Sequence, residues 1–294
     1  MYQIKRSSDV PILMQNIYRK NLCSIDNTGT DNSTELEYLT FPMLEELGIV
    51  KHMISTRLGG VSEGNLSTMN LSFTRGDKPE NVLENYRRIA KVLACEVSDM
   101  VASDQTHTTN VRLVTEADKG KGILSSRDYC DVDGMVTNVP GVVLVTYYAD
   151  CVPLFFVDPM KKAIGLAHSG WRGTVDRMGE VVVKSMEKHF GSKASDIYAA
   201  VGPSICKDCY EVSEEVASQF IAEFGDAVVA PGKVTGKYQL DLWMTNRIIL
   251  EQAGIPSKQI QVTDICTSHN SAYLFSHRAT GGKRGNIAAF LALS

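Results

Sequence analysis

The sequence has no apolar run long enough to cross a bilayer and no dense cluster of basic residues. Its longest predominantly apolar run, 139–149, ends at Asp150, well short of the roughly 20 residues that a transmembrane helix needs. Residues 1–10 lack the continuous apolar segment of a secretory signal. No stretch of five or more Lys or Arg occurs, and the net charge is −4. Binding to a membrane or to nucleic acid is therefore not expected.

Cysteine is too sparse for a disulfide-stabilised fold. Seven cysteines, an odd number, are spread over 294 residues, unlike the framework of a small secreted protein. A reducing, cytoplasmic location is therefore expected. Apolar residues make up 44% and charged residues 22% of the chain, which excludes a disordered or fibrous class.

The pattern of apolar residues predicts one α+β domain after a polar arm. Segment 1–40 is polar and weakly periodic, and predicts a poorly structured N-terminal arm with room for one or two edge strands. Apolar steps of three and four residues predict helices over 79–94, 174–190, 214–224 and 242–253. Val-, Tyr- and Phe-rich runs predict strands over 50–55, 142–148, 152–157, 163–167, 197–201 and 260–265, with a further short strand over 69–73. Because these elements do not alternate strictly, an α+β fold is favoured over an α/β one.

Two histidines and one cysteine interrupt this pattern. His107 lies in a polar break between strand-like runs, Cys151 follows a buried strand, and His168 ends another. If the strands next to Cys151 and His168 are hairpin neighbours joined by the Asp158-Pro159 turn, their tips meet. Two imidazoles and a thiolate suit zinc, and three protein ligands leave a fourth position open, as in catalytic zinc sites.

The residues alone leave an alternative open, because their spacing matches no compact metal motif. In that interpretation the histidines make ordinary hydrogen bonds and Cys151 is a buried apolar thiol.

Eight short motifs carry a family resemblance. They are Ser55-Thr-Arg-Leu-Gly-Gly-Val-Ser62, Met69-Asn-Leu-Ser72, Gln105-Thr-His107, Tyr148-Ala-Asp-Cys-Val-Pro-Leu154, Ala167-His-Ser-Gly-Trp-Arg-Gly-Thr174, Gly202-Pro-Ser-Ile205, Tyr210-Glu-Val212 and Phe275-Ser-His-Arg278. In this order the chain resembles the YfiH-like family, also called laccase-domain or multicopper polyphenol oxidase-like. The resemblance implies a zinc ion held by His107, Cys151 and His168 near the surface. It also implies one catalytic domain over 41–294, with mixed β-sheets in a sandwich-like core flanked by helices.

The resemblance further implies an enzyme of purine nucleosides. Such a transferase uses phosphate to split adenosine, inosine or methylthioadenosine into base and ribose 1-phosphate, and as a hydrolase it deaminates adenosine. Editing of peptidoglycan precursors and copper-dependent phenol oxidation are alternative activities linked to the family. A non-enzymatic metal-binding partner protein is a further alternative.

Histidine is too scarce for a true laccase. A multicopper oxidase needs a type 1 copper and a trinuclear centre, whereas this chain has six histidines and no His-X-His pair. Copper nevertheless competes well for thiolate and imidazole ligands, so it is an alternative ion at the same site.

Several polar residues are candidates for binding substrate. Arg57 and Arg172 each border a glycine-containing turn and are the predicted phosphate ligands, with a solvated surface role as the alternative. Gln105 shares a face with His107 if their segment is extended. Asn70 and Asp133 are weaker candidates. Asp150 is predicted to be structural.

The pair Cys206-Lys-Asp-Cys209 has the spacing of a redox or zinc motif. A structural zinc site needs two further ligands, and the chain has no second Cys-X-X-Cys pair. The motif is therefore interpreted as architectural. The sequence makes no prediction of oligomeric state.

Overall fold

A computed structural model describes residues 4–7, 16–25 and 31–294. The strands are β1 Asn16–Ile25, β2 Asp31–Thr40, β3 Val50–Ser55, β4 Met100–Ala102, β5 Val111–Leu113, β6 Gly134–Thr137, β7 Val143–Tyr148, β8 Val152–Asp158, β9 Ala163–Ser169, β10 Tyr198–Val201, β11 Glu211–Ser213, β12 Val229–Pro231, β13 Lys237–Leu240, β14 Ile260–Val262 and β15 Ile287–Leu293. The helices are α1 Pro42–Glu46, α2 Pro79–Leu93, α3 Trp171–Val175, α4 Met178–Phe190, α5 Glu214–Phe224, α6 Leu242–Gln252 and α7 His277–Thr280.

Two six-stranded mixed sheets form the centre of the fold. The first has the strand order β1-β2-β3-β15-β7-β4 and the second β14-β10-β8-β9-β6-β5, while β11-β13-β12 form a small third sheet. The parallel pairs are β4 with β7, β5 with β6 and β10 with β14. This is the α+β architecture with mixed sheets that the sequence predicts.

Alternation along the strands explains the layers. On β8, Phe155 and Val157 face the core between the two sheets, whereas Leu154 and Phe156 face the core under the helices. β7 and β15 divide in the same way between the inter-sheet core and the core beneath α2. A strand that is buried on both faces has a continuous run of apolar residues in its sequence. The predicted buried strands and sandwich-like core are therefore confirmed.

Two predicted elements are wrong. Residues 69–73 form no strand, because Asn70 Oδ1 accepts the backbone N–H of Ser72 and turns the chain locally. The predicted helix over 174–190 is two helices, α3 and α4, because Arg177 between them has a left-handed φ of 61°. Apolar periodicity continues across such a break, so it does not reveal the break.

The predicted N-terminal arm is described in part. Strands β1 and β2 pair as an antiparallel hairpin, and β2 continues the sheet onto β3. Residues 1–3, 8–15 and 26–30 lie outside the described residues, and the boundary at residue 41 stays a prediction. Among the residues described, no helix is both long and apolar enough to cross a membrane.

Candidate metal centre and adjoining pocket

The hairpin of β8 and β9 brings Cys151 and His168 to one end of the second sheet. Its register pairs Pro153 with His168, so the two strands are neighbours as the sequence predicts. His107 arrives from the loop between β4 and β5. One ligand atom from each of these three residues lies within 4.8 Å of the others. His168 is buried, Cys151 half-buried and His107 exposed, so the cluster opens to the surface at His107.

Asp133 organises two of these residues. Its Oδ1 lies 2.7 Å from His168 Nδ1. Its two carboxylate oxygens also accept the backbone N–H groups of Thr106, His107 and Thr108 at 3.0, 3.1 and 2.9 Å. These bonds hold a loop in which His107 has a left-handed φ of 68°, a conformation uncommon for residues other than glycine.

The contact with Asp133 fixes the proton on His168. An ionised carboxylate only accepts hydrogen bonds, so Nδ1 carries a proton and Nε2 is the ligand atom, which releases its own proton when a metal binds. Burial disfavours the charged ring, but the Cys151 thiolate and the Asp133 carboxylate raise the pKa of His168 to about 9. Burial also disfavours the Cys151 thiolate, yet the charge of His168 and hydrogen bonds with His107 and His168 lower the pKa of Cys151 to about 6. The thiolate, which metal ligation requires, is favoured at neutral pH.

Gly170 closes another side of the cluster. A β-carbon at this position would lie 3.0 Å from His107 Cδ2 and 3.1 Å from Cys151 Sγ, closer than ordinary van der Waals contact. The backbone of Gly170 is extended, with φ −74° and ψ −176°. Glycine is therefore favoured here by space rather than by backbone conformation.

A cavity of about 240 Å³ adjoins the three residues, slightly smaller than the ~300–1,000 Å³ typical of small-molecule sites. His107, Cys151 and His168 line one part of it, and Phe73 and Tyr148 add aromatic walls. Three further lining residues are arginines: Arg75, Arg127 and Arg284. The cavity thus combines metal-ligating groups, apolar surface and positive charge.

Arg284 is a buried cation in this wall. Its Nη1 donates to the carbonyl of Gly285 and to Asn286 Oδ1, while its Nε has no hydrogen-bond partner. Burial and the positive charge of Arg75 lower the pKa of Arg284 to about 10. In the part of the chain that the structure describes, no salt bridge joins Arg284 to a carboxylate, whereas Arg127 Nη1 lies 3.6 Å from Asp104 Oδ1. Two close guanidinium groups, one buried, favour an anion in the cavity.

The structure places Gln105 in the pocket and Asn70 behind it. The Gln105 side chain donates to the carbonyl of Tyr147 at 2.8 Å and accepts its N–H at 2.6 Å, so it holds the pocket wall. Asn70 is buried, and its amide bonds to Ser72, Asp77 and the backbone N–H of Asn286. Asn70 supports residues that line the pocket without lining it itself.

The two predicted phosphate ligands lie outside the pocket lining. Arg57 donates to the carbonyls of Ser67 and Ser271 at 2.9 and 2.7 Å, and its guanidinium lies 4.6 Å from the centre of the Phe275 ring. Burial lowers the pKa of Arg57. Arg172 is exposed on α3 and lies 4.4 Å from the centre of the Trp171 ring.

Residues 51–294 match the family model described as multi-copper polyphenol oxidoreductase laccase. The chain belongs to this family. Purine nucleoside phosphorylase YlmD of Bacillus subtilis (strain 168) is 39% identical over 244 residues, which cover 81% of this chain and 87% of that protein. Adenosine deaminase RL5, from an unknown prokaryotic organism, is 35% identical over 255 residues, covering 85% and 96%.

Solved structures with 31–33% sequence identity have the same fold. The hypothetical protein YfiH of Bacillus licheniformis superimposes with a TM-score of 0.83 and 31% identity, covering 90% of this chain and 98% of that one. YlmD of Geobacillus stearothermophilus gives a TM-score of 0.81 and 33% identity, covering 88% and 96%. The single-domain fold and the resemblance to YfiH are therefore confirmed.

The residues of this laccase-family member do not fit a multicopper centre. The chain has six histidines in total and no His-X-His pair. The cluster of His107, Cys151 and His168 offers three ligand atoms, which suits one ion rather than several.

Sequence reasoning missed two groups of residues. One is the arginines of the pocket, Arg75, Arg127 and Arg284, of which Arg284 lies in the glycine-rich, basic segment 281–285. The other is Cys266 and His269, which the structure places beside Cys206 and Cys209. Here a signal is readable: Cys266-Thr-Ser-His269 repeats the spacing of Cys206-Lys-Asp-Cys209.

Proposed function

We propose that this family member is a metal-dependent enzyme of purine nucleosides. It uses phosphate to split adenosine or inosine into base and ribose 1-phosphate, and methylthioadenosine into adenine and 5-methylthioribose 1-phosphate, and it deaminates adenosine. Relatives named purine nucleoside phosphorylase and adenosine deaminase support the proposal. The observation that carries it is one pocket in which the His107, Cys151 and His168 cluster adjoins Arg75 and Arg284.

The donor set fits zinc. Two imidazoles and one thiolate are ligands that zinc prefers, and three protein ligands leave a position open for substrate or water. When bound, the ion supplies Lewis-acid chemistry at that open position. Copper binds the same donor types and is the alternative ion.

Arg284 and Arg75 would bind and orient phosphate. Phosphorolysis joins a phosphate oxygen to ribose C1′ and breaks the bond from C1′ to the purine nitrogen, whose electron pair stays with the base. Holding phosphate against the sugar lowers the entropic part of the barrier, and guanidinium groups are well suited to phosphate oxygens. Phe73 and Tyr148 offer apolar surface to the sugar and base.

Two residues position this machinery. Asp133 holds the His168 ring and the His107 loop in their relative arrangement, and Gln105 holds the wall at Tyr147. We propose a cytoplasmic location as well, since ligation by Cys151 depends on a reduced thiol.

Product analysis of the metal-loaded protein tests the proposal. The wild-type protein and the Cys151→Ala variant are incubated with adenosine, with and without phosphate, and the products are separated by chromatography. Adenine and ribose 1-phosphate that form only with phosphate, and only in the wild type, support phosphorolysis at this site. Inosine that forms without phosphate supports deamination.

A matched thiol variant controls for general effects of removing a cysteine. Cys130 is exposed and belongs to neither group of metal-ligating residues, so Cys130→Ser should retain turnover. No turnover of any of the three nucleosides by metal-loaded wild type would overturn the proposal. Peptidoglycan-precursor editing would then be tested next.

A further inference from the structure

A second group of metal-ligating side chains lies outside the nucleoside site. One donor atom each from Cys206, Cys209, Cys266 and His269 lies within 4.8 Å of the others. Cys206 Sγ is 3.9 Å from His269 Nδ1. Cys206 and Cys266 are buried, Cys209 is half-buried and His269 is exposed. We call these four residues the Cys3His cluster.

The parallel pairing of β10 and β14 explains why the two halves of the cluster meet. The register pairs Val201 with Val262, and an isolated parallel bridge from Ser204 to Cys266 extends the pairing past the strand ends. Two neighbouring parallel strands end at the same edge of a sheet. Their following turns, one carrying Cys206 and one carrying Cys266, therefore lie side by side.

Backbone N–H groups surround the sulfur atoms. The N–H of Cys206 donates to Cys266 Sγ at 3.3 Å, which connects the two turns directly. In the first turn the backbone N–H of Cys209 faces the sulfur of Cys206. In the second turn the backbone N–H of His269 faces the sulfur of Cys266. N–H groups directed at sulfur orient it as a ligand.

We propose that the Cys3His cluster binds a structural metal ion of the zinc type. Four protein ligands of this composition complete a tetrahedral zinc site and leave no position for substrate. Thiolate and imidazole ligands also select zinc over the hard cations magnesium and calcium. The protein would then hold two ions, one at the open cluster of His107, Cys151 and His168 and one at the closed Cys3His cluster.

The closed site would stabilise the nucleoside site through Asp150. The N–H of Ile205, the neighbour of Cys206, donates to the Asp150 carbonyl at 3.0 Å. The hydroxyl of Thr267, the neighbour of Cys266, donates to Asp150 Oδ1 at 2.6 Å. Both turns of the Cys3His cluster thus hold the residue next to Cys151. An ion that fixes the turns relative to each other also fixes the backbone at this ligand.

Metal counting on the full-length protein tests the proposal without using nucleoside turnover. Proteins expressed with zinc and purified without chelator are analysed by elemental mass spectrometry. We expect about two zinc ions per chain in the wild type and about one in both Cys151→Ala and His269→Ala. His269 is exposed, so its removal should leave a folded protein. His269→Cys keeps four ligands and should restore the count, and Cys130→Ser should match the wild type.

A cobalt spectrum and a melting curve separate the two sites further. Cobalt bound to Cys151→Ala should give the sulfur-to-metal charge-transfer bands of a thiolate-rich tetrahedral site, and adding His269→Ala to this variant should weaken them. A chelator should lower the melting temperature of Cys151→Ala by several degrees, because a structural ion contributes directly to folding. The same chelator should change the melting temperature of His269→Ala less.

Two results would overturn the proposal. One is an equal metal content in wild type and His269→Ala. The other is a Cys206–Cys209 disulfide in protein that is purified under reducing conditions and binds ions only at the first site. Either result can occur whether or not the protein turns over nucleosides, so failure of this inference is distinguishable from failure of the proposed function.

Discussion

Asp133 Oδ1 and His168 Nδ1 lie 2.7 Å apart, and both side chains are buried. A carboxylate behind a metal-ligating imidazole fixes the tautomer and the orientation of the ring. The same carboxylate accepts the backbone N–H of His107. One side chain therefore sets the relative positions of two of the three ligands.

Replacing Asp133 with Asn should weaken metal binding at the nucleoside site by about 10- to 100-fold. The neutral amide would attract the His168 proton less strongly. Its NH2 group is a donor and would face backbone N–H groups that now donate to a carboxylate oxygen. Competition with a chelator of known affinity measures the loss. Asp131→Asn is the matched control, because Asp131 bonds to Thr106 of the same loop and not to His168. An equal loss in the two variants would contradict the role given to Asp133.

Arg284→Gln should raise the KM for phosphate by about 10- to 100-fold, the loss expected for one charge-assisted hydrogen bond of ~1.5–3 kcal/mol. Loss of the hydrogen bonds from Arg284 to Gly285 and Asn286 should also lower stability by about 1–3 kcal/mol, so the KM for phosphate is the readout that distinguishes this variant. Initial rates at varied phosphate and fixed adenosine measure the effect.

Arg57→Gln is the comparison for this variant. It should lower stability by about 1–3 kcal/mol, since Arg57 donates to the carbonyls of Ser67 and Ser271, and should leave the KM for phosphate unchanged. A raised KM for phosphate in Arg57→Gln, with an unchanged KM in Arg284→Gln, would indicate instead that Arg57 binds phosphate.

The predictable part of the fold is the part coded locally. The α5 helix, Glu214–Phe224, and the β8–β9 hairpin follow from apolar periodicity and a turn. The short strands β11, β12 and β13 do not, because their three or four residues carry too little pattern. The left-handed Arg177 breaks a helix without interrupting its apolar steps.

The candidate metal site is predictable only in part. His107 and Cys151 are 44 residues apart, so no local spacing connects them. Their positions at breaks in the apolar pattern made them candidates with His168, and the family resemblance favoured a metal site over ordinary hydrogen-bonding residues. Arg284 becomes a candidate anion ligand only through its burial and the orphaned Nε, which are tertiary properties. Cys266 and His269 join Cys206 through a parallel strand pair, whose partners the sequence does not specify.

His52 should make the protein less stable at mildly acidic pH. The ring is buried and its Nε2 accepts the N–H of Phe41, and burial lowers the pKa of His52 to about 4. The unfolded chain takes up a proton near its ordinary pKa of ~6.5, which the folded state does not. The stability that His52 contributes above about pH 6.5 is therefore lost as the pH falls toward 4. The loss due to His52 between pH 7 and 5 should be about 2 kcal/mol.

Urea unfolding at pH 7 and pH 5 measures this loss against His52→Gln. Glutamine offers an acceptor oxygen and does not titrate. Between pH 7 and pH 5 the unfolding free energy of the His52→Gln variant should therefore fall by about 2 kcal/mol less than that of the wild type. All other titrating groups are common to the two proteins and cancel in the difference. Parallel pH dependence in the two proteins would show that His52 does not contribute.

Alanine substitutions at Gly170 and Gly173 distinguish a steric effect on the metal centre from a general effect of replacing glycine. Alanine at 170 would bring its β-carbon to 3.0 Å from His107 Cδ2 and 3.1 Å from Cys151 Sγ. One of the ligands would have to move by a few tenths of an ångström, so we expect weaker metal binding and slower turnover. At Gly173 the nearest atoms lie at 3.6 Å, and in α3 alanine should stabilise by about 0.5–1 kcal/mol.

Metal content, turnover and melting temperature should therefore change differently in these two variants. Gly170→Ala keeps every ligand and should still lose metal affinity and rate, with a small change in melting temperature. Gly173→Ala should keep the wild-type metal content and rate and melt at the same or a higher temperature. Full metal affinity in Gly170→Ala would mean that the ligands can spread apart without cost. The close approach of the backbone at Gly170 would then have no part in setting the geometry of the site.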